Sequence, residues 1–591
     1  MKGAGARLPW LLLSLACARV AAGRDALDFA TLMHGGYAAP IDLAAFGAPD
    51  AAPPAAQRRT ASRFEGVLEL RFDGTLPHRV LLADPAYVSE GDVAVASTWP
   101  AGFAYEFVQS GDQLVPVRRG AIPGSHDWWE LVLEPGRVWD EPGDHGYTRA
   151  AIPFSLQEKN ANCVHNGVLM FLFRRDGRTS HTAMQVSSET CHYLQLDLWG
   201  LLDTHYVPRA VAGRGALLAA HRAAQAARMP TATLAQLQAR HPSLDLAALA
   251  IGEPAGRTLY GVVVDGVDYV APCATRHGDH PYCAQLDLPS YSLAKSVVAA
   301  LALMRLQQLD PRSATQTVAS LVPECDLPAW QGVTLANALD MATGNYDSPG
   351  YEADEDAPKV DGLFLPPDHA HKIGFACGAY PRRSPPGTTW AYHSSDTYVL
   401  GTAMASLLRR RPEWHRRDFF DDLVVADLYA PLGLSPTSRV TRRTYDAIAQ
   451  PFTGWGLVFQ SDDIAKLGVF LARDAGAIAG RQVIDAGMLA AALQRNPGDR
   501  GLPVAGRADL RYQHGFWARN LRREPDCGTD TWIPFMSGYG GISVVLLPGG
   551  IVYWNFADDG RAASFDWERP ARALAAVGGY CRPATAPSPG S

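Results

Sequence analysis

Residues 288–306 (LPSYSLAKSVVAALALMRL) are apolar nearly all the way round when wound as a helix. A helix without a polar face has to be buried on every side, so the rest of the chain must supply elements that wrap it. One helical turn brings positions i and i+3 onto one face. That sets the Ser292 hydroxyl against the Lys295 amine at the start of the buried helix. Burial favours the neutral form of a lysine, and a neutral amine can take a proton from a serine. Ser292-x-x-Lys295 therefore reads as a nucleophile with its base built in. Taken without its context, it is equally an N-cap serine followed by an ordinary lysine.

The remaining chain is long enough to do the wrapping. At 591 residues it is expected to form two or three domains, and 47% hydrophobic with 19% charged residues describes a soluble globular protein with ample core. The net charge is −7, falling to −10 if Lys2, Arg7 and Arg19 leave with a leader. No basic run or face stands out, which argues against a nucleic-acid partner. Lys2 and Arg7 ahead of the apolar stretch 8–17, with Val20, Ala21 and Ala22 at the cleavage positions, are built like a secretory signal peptide over 1–22. No other segment approaches the roughly 20 apolar residues of a membrane span, so the expected location is periplasmic or secreted, with no integral membrane segment after signal removal. Cys17 would leave with the leader. The eight cysteines that remain suggest disulfides, and locality pairs them as Cys163 with Cys191, Cys273 with Cys283, Cys325 with Cys377, and Cys527 with Cys581.

Taken in order, residues 24 to about 60 are Ala-, Pro- and Gly-rich and read as an irregular lead-in. Phe64, Leu68, Leu70 and Phe72 then recur with the period of a half-buried strand. Residues 129–133, 167–173 and 182–186 continue in that fashion, giving a β-rich domain over 23–205. His165, His181, His192 and His205 are scattered through it and read as structural. The polar run 159–166 reads as a hydrogen-bonded loop tied down by Cys163. Residues 206–250 are expected to form a helical connector. Two short strands around Asp265-Gly266 follow. Cys273, His277, His280 and Cys283 have the ligand types for zinc, but a disulfide with two solvated histidines is the preferred reading, and no metal is assigned. The acidic loop 345–361 carries Asp347, Glu352, Asp354, Glu355, Asp356 and Asp361. Its spacing does not match a calcium loop, so it reads as an acidic surface loop from which Tyr346 and Tyr351 could reach a site. Residues 333–344 read as a capped amphipathic helix, 535–547 as a glycine-rich entry to a strand, and Ser461-Asp462-Asp463 as a helix cap.

Three elements in order resemble the serine hydrolases of the penicillin-binding protein and class C β-lactamase superfamily: Ser292-x-x-Lys295, Tyr392-x-Ser394 after Pro386-Gly387, and a glycine-rich strand at Tyr539-Gly540-Gly541. The flanks 333–344, 454–457 and 461–465 are similar too. The resemblance covers about 250–580 and looks closest to family VIII esterases and nylon-oligomer hydrolases. It implies an α+β fold, with the N-terminal β-rich domain followed by a β-lactamase-like domain over 251–582. That domain would combine an antiparallel sheet flanked by helices with an all-helical subdomain, and a disordered tail would occupy 583–591. By the same resemblance, Ser292 would be acylated, Lys295 would hold or accept its proton and Tyr392 would shuttle protons. Ser394 would bond Lys295 or the substrate, and the N–H groups of Ser292 and Ile542 would form the oxyanion hole. A phenol beside a lysine ammonium is acidified, which would let Tyr392 serve as base near neutral pH.

Two departures matter: Ser394 stands where the family has Asn, and Tyr539 where it has Lys or His. Both remove groups suited to a substrate carboxylate. The expected activity is thus an exported serine hydrolase cleaving a carboxylic ester or small amide, without a cofactor. The competing readings are a D,D-peptidase or weak β-lactamase, and a catalytically inactive ligand-binding protein.

Overall fold

The computed structural model describes residues 25–49, 60–521, 530–558 and 565–578. The expected signal peptide, tail and Cys527–Cys581 pairing lie outside them. The chain divides into two compact units. The first takes in the described residues up to Lys159, Cys163–Gln225 and Pro272–Asp287. The second takes in Asn160–Asn162, Ala226–Ala271 and the described residues from Leu288 onward.

The first unit is a closed antiparallel barrel. Its strands are β1 (Glu65–Arg71), β2 (His78–Ala83), β3 (Phe103–Ser110), β4 (Gln113–Pro116), β5 (Trp129–Leu133), β6 (Gly136–Asp140), β7 (Thr148–Glu158), β8 (Val164–Phe173), β9 (Thr182–Thr190) and β10 (Leu194–Pro208). The ring runs β1-β3-β4-β6-β7-β8-β9-β10 and returns to β1, with β5 paired to β7 and β2 to β10. Closure depends on the 15-residue β10, which pairs in turn with β2, β9 and β1 along its length. Aromatic rings fill the inside: Phe64 packs on Phe107, Phe171, Phe173 and Tyr206, and Trp129 on His165. A small barrel filled this way is a packed core rather than a channel.

The lead-in is more ordered than its composition suggests. Residues 25–49 form short helical turns, including Phe29–His34, and lay Leu27, Leu32, Leu43 and Phe46 against Trp139, Val168, Met170 and Leu172. This cover buries the outer faces of β7, β8 and β9 at Ala151, Val168, Met170, Leu172 and Ala183. His165 is fully buried, which drives its imidazole down to about 3, and it bonds the Leu194 carbonyl, a structural role. Cys273 and Cys283 form a disulfide, as do Cys163 with Cys191 and Cys325 with Cys377. No group of residues able to hold a metal ion occurs among the described residues.

The second unit is built on a nine-stranded sheet. We number its strands β11 (Thr231–Thr233), β12 (Arg257–Val264), β13 (Val267–Val270), β14 (Leu502–Val504), β15 (Arg507–Gln513), β16 (Phe516–Asn520), β17 (Trp532–Gly538), β18 (Ile542–Leu546) and β19 (Val552–Ala557). Their order is β11-β13-β12-β19-β18-β17-β16-β15-β14. All pairs are antiparallel except β11 with β13. The β12–β13 hairpin turns at Asp265-Gly266, both with positive φ (52° and 78°), as a two-residue turn requires. Helix Ser461–Ala472 packs on β18 and β19, while helix Glu568–Gly578 joins the core cluster with Val262, Val545 and Tyr553. Between sheet halves the chain is mostly helical, from Lys295 to Ala492. The connector differs from expectation: β10 runs on to Pro208, and helices Arg214–Ala226 and Leu234–Arg240 are separated by β11. Helix Ser461–Ala472 is capped by Gln460, boxed with Asp463, so Ser461 is its first residue and not its cap. The 333–344 helix is shorter, Leu335–Leu339, with Thr334 and Asn337 forming its capping box.

The Cys325–Cys377 bridge closes a 52-residue separation in this helical region. Chain-entropy arguments give such a loop a stabilisation of about 4 kcal/mol. Replacing both cysteines by serine is expected to lower the thermal midpoint by several degrees, measured by circular dichroism; an unchanged midpoint would contradict this.

Candidate active site

From Leu286 to Met304 every side chain is buried except that of Ser292. The turn that presents it is held from several directions. Ser290 N–H bonds the Leu457 carbonyl (2.9 Å), and Leu457 N–H bonds Ser290 Oγ (3.1 Å). The fully buried Asn162 accepts from Ser290 Oγ (3.0 Å), Tyr291 N–H (2.7 Å) and Gly456 N–H (3.0 Å). Its amide donates to the Leu457 carbonyl (3.2 Å). Tyr291 has φ 39°, a region that costs a non-glycine residue energy and persists only when its surroundings over-determine it. Asn162 supplies that determination. The sequence reading placed Asn162 in a polar loop without assigning it to the site; three accepted bonds from residues distant in sequence leave no local pattern.

The stretch then winds as a π-helix over Lys295–Ala300 before the α-helix Leu301–Leu309. Tertiary contacts hold this wide turn: Ser296 Oγ donates to the Gly515 carbonyl (2.6 Å), and a Cβ on Gly515, whose φ is 82°, would lie 2.8 Å from the Lys295 carbonyl. Lys295 Nζ sits 3.0 Å from Ser292 Oγ, 2.8 Å from Ser394 Oγ and 3.5 Å from the Gly454 carbonyl. Burial pulls its amine down to about 8, against the opposing pull of Glu355 and Glu352. A neutral amine keeps two N–H bonds, which suit Ser394 and Gly454, and turns its lone pair to Ser292.

Tyr392 lies under Lys295, its ring centroid 4.9 Å from Nζ. The expectation of an acidified phenol is overturned. Burial, with Glu352, Tyr512 and Glu355 adding to it, raises Tyr392 well above its ordinary value, and the nearby Ser292 hydroxyl only partly opposes this. The phenol therefore keeps its proton near neutral pH, while the Lys295 amine is the group whose proton affinity is lowered. Tyr392 stacks on Trp517 (5.9 Å), and Tyr351 joins the same cluster through Trp390 and Trp517.

The acidic loop is also not a plain surface loop. Asp354 is buried and accepts from Asp347 N–H, Ser348 N–H and His393 Nε2 (2.8 Å each from Asp347 and His393). Glu355 accepts from Ser394 N–H (2.9 Å) and Ser394 Oγ. Periodicity misses both because the loop is polar throughout, and only the fold shows which carboxylates turn inward.

The glycine-rich element also differs from expectation. Tyr539, Gly540 and Gly541 are the turn of the β17–β18 hairpin, with Gly540 and Gly541 at φ 88° and 121°. They are not the entry to one strand. The close approach to the nucleophile turn comes one residue earlier: a Cβ on Gly538 would lie 3.0 Å from the Ser290 carbonyl. Tyr539 packs on Tyr291 (5.9 Å between rings), and Ile542 pairs across the ladder with Gly538. Lys295 Nζ thus gathers Ser292, Ser394 and the Tyr392 ring around it, with the β17–β18 hairpin against the Ser290–Tyr291 turn.

Residues 231–559 match the family model described as Beta-lactamase, more than half of the chain, and the chain belongs to this family. No curated protein matches it. Similar solved structures include a penicillin-binding protein homolog from Caulobacter crescentus (19% identity, 56% of this chain and 94% of that chain, TM-score 0.39). A D-stereospecific amidohydrolase from Streptomyces sp. is similar at 15% identity (55% and 98%, TM-score 0.38). EstCE1, a hydrolase with promiscuous acyltransferase activity, is similar at 15% identity (61% and 98%, TM-score 0.40).

Replacing Asn162 by alanine strands the Tyr291 and Gly456 N–H groups in a buried place. The expected cost is about 3 kcal/mol of stability, together with slower covalent labelling of Ser292 by a fluorophosphonate. Native-like stability and labelling in the Asn162→Ala protein would refute the buttressing role.

Proposed function

We propose that this member of the beta-lactamase family is an exported serine hydrolase that cleaves a carboxylic ester or small amide through an acyl-enzyme on Ser292. The observation that carries the reading is the burial of Lys295 between the hydroxyls of Ser292 and Ser394, with Ser292 the one partly exposed side chain between Leu286 and Met304.

In this reading neutral Lys295 takes the Ser292 proton as Oγ bonds the substrate carbonyl carbon. The proton-bearing Tyr392 passes its proton to the departing alcohol or amine and regains one from the Lys295 ammonium. Water then attacks the acyl-enzyme with the same groups running in reverse, releasing the acid and restoring Ser292. Backbone N–H groups of Ser292 and Ile542 are assigned to the developing oxyanion.

The surroundings disfavour a substrate carboxylate. Ser394 is engaged by Lys295 and Glu355, and Tyr539 offers a ring where a cation would be needed. The negative charge of Glu352 and Glu355 acts on both Lys295 and Tyr392. These features support an uncharged acyl group over β-lactams and cell-wall stem peptides. The three disulfides support an oxidising compartment, periplasmic or extracellular.

A fluorophosphonate probe is expected to label the native protein and not Ser292→Ala; equal labelling of both would sink the hydrolase reading and leave a binding protein. Labelling should rise with pH through about 8, because Lys295 is protonated below that value and free to act as base above it. In a substrate panel, p-nitrophenyl esters should turn over faster than nitrocefin, and the reverse order would return the substrate to the β-lactam class.

A further inference from the structure

Two consecutive acidic residues hold two consecutive residues of the Tyr392–Ser394 segment: Asp354 takes His393 and Glu355 takes Ser394. His393 is stacked on Tyr380 (4.1 Å, 25°) and lies 3.8 Å from Asp396. Burial alone would depress its imidazole, but the hydrogen bond to Asp354 and the nearby charges of Asp354 and Asp396 outweigh it and raise it to about 9. His393 is therefore a cation at neutral pH, and the Asp354 contact is a buried ion pair. Breaking such a pair leaves an uncompensated charge, so this end of the loop is firmly seated. Glu355 follows directly, and its two oxygens meet the N–H and the hydroxyl of Ser394.

Ser394 Oγ donates its one proton to Glu355 and so offers only lone pairs to Lys295 Nζ, 2.8 Å away. We propose that Glu355, seated by the Asp354–His393 pair, is a positioning residue for the hydrolytic reaction, fixing Ser394 as an acceptor so that Lys295 is held with its lone pair toward Ser292. A serine in this place could rotate to donate instead; the carboxylate removes that choice. The groups facing Lys295 are Ser292, Tyr392, Ser394, the Gly454 carbonyl, Glu355 and Glu352. Glu355 acts on Lys295 through Ser394 and also by its charge, which favours the ammonium.

The proposal rests on the hydrolase reading for its consequence, and its test is separable from that reading. The full chain has six lysines, so ε-13C-lysine labelling allows the Lys295 titration to be followed by NMR without any turnover. Glu355→Gln keeps the shape and removes the charge. It is expected to move the Lys295 midpoint down by about one unit. The pH dependence of fluorophosphonate labelling should shift down with it, while the limiting rate at high pH falls about tenfold. Glu355→Asp, which keeps the charge, should hold the midpoint near that of the native protein. A merely structural role would lower the limiting rate without moving the midpoint, and an unmoved midpoint in folded Glu355→Gln protein overturns the proposal. If Ser292→Ala labels as well as the native protein, the hydrolase reading falls, and the NMR titration still decides whether Glu355 governs Lys295.

Discussion

An amine buried between two hydroxyls is the contact on which the second unit depends. Taking a lysine out of water is costly for the charged form, and here the cost is turned to use by shifting the amine toward neutrality. The sites around it serve that condition. The apolar helix behind Lys295 keeps water away, the Gly454 carbonyl and Ser394 receive its N–H bonds, and the Tyr392 ring closes one side. The same burial acts on Tyr392 in the opposite sense, keeping its proton in place. One environment thus lowers the proton affinity of the amine and raises that of the phenol.

Around this contact the turn at Ser290–Ser292 is fixed by groups that come from far along the chain. Asn162 lies about 130 residues before the turn, and its bonds reach Tyr291 and Gly456 together. The acidic loop reaches the other side of Lys295 through Ser394. Gly515 brings a hairpin against the Lys295 backbone at a distance that no side chain would allow. The Ser292–Lys295 turn is therefore placed by three separate pieces of chain.

The barrel unit shows how composition can mislead where cover is concerned. The 167–173 part of β8 (GVLMFLF) is an unbroken apolar run, and the run makes sense once residues 25–49 are seen to lie over Val168, Met170 and Leu172. That cover was not legible in an Ala- and Pro-rich lead-in, since short 3-10 and α turns have no periodicity of their own. The disulfides within the described residues were legible, because neighbours in sequence close the loops that cost least to form.

The fully apolar helix, the i to i+3 placement of Ser292 and Lys295, and the Asp265-Gly266 hairpin follow from local rules, since each depends on spacing within a turn or two. The order of the three motifs also belongs to the linear chain. The tertiary structure alone decided that 539–541 is a turn, with Gly538 making the close approach. It alone decided that burial raises the Tyr392 phenol instead of acidifying it, and that Asn162, Asp354 and Glu355 lie around the Ser292–Lys295 turn and Ser394. The reason is physical: proton affinities and buried hydrogen bonds are set by what surrounds a group in space, and in this chain those neighbours lie tens to hundreds of residues away.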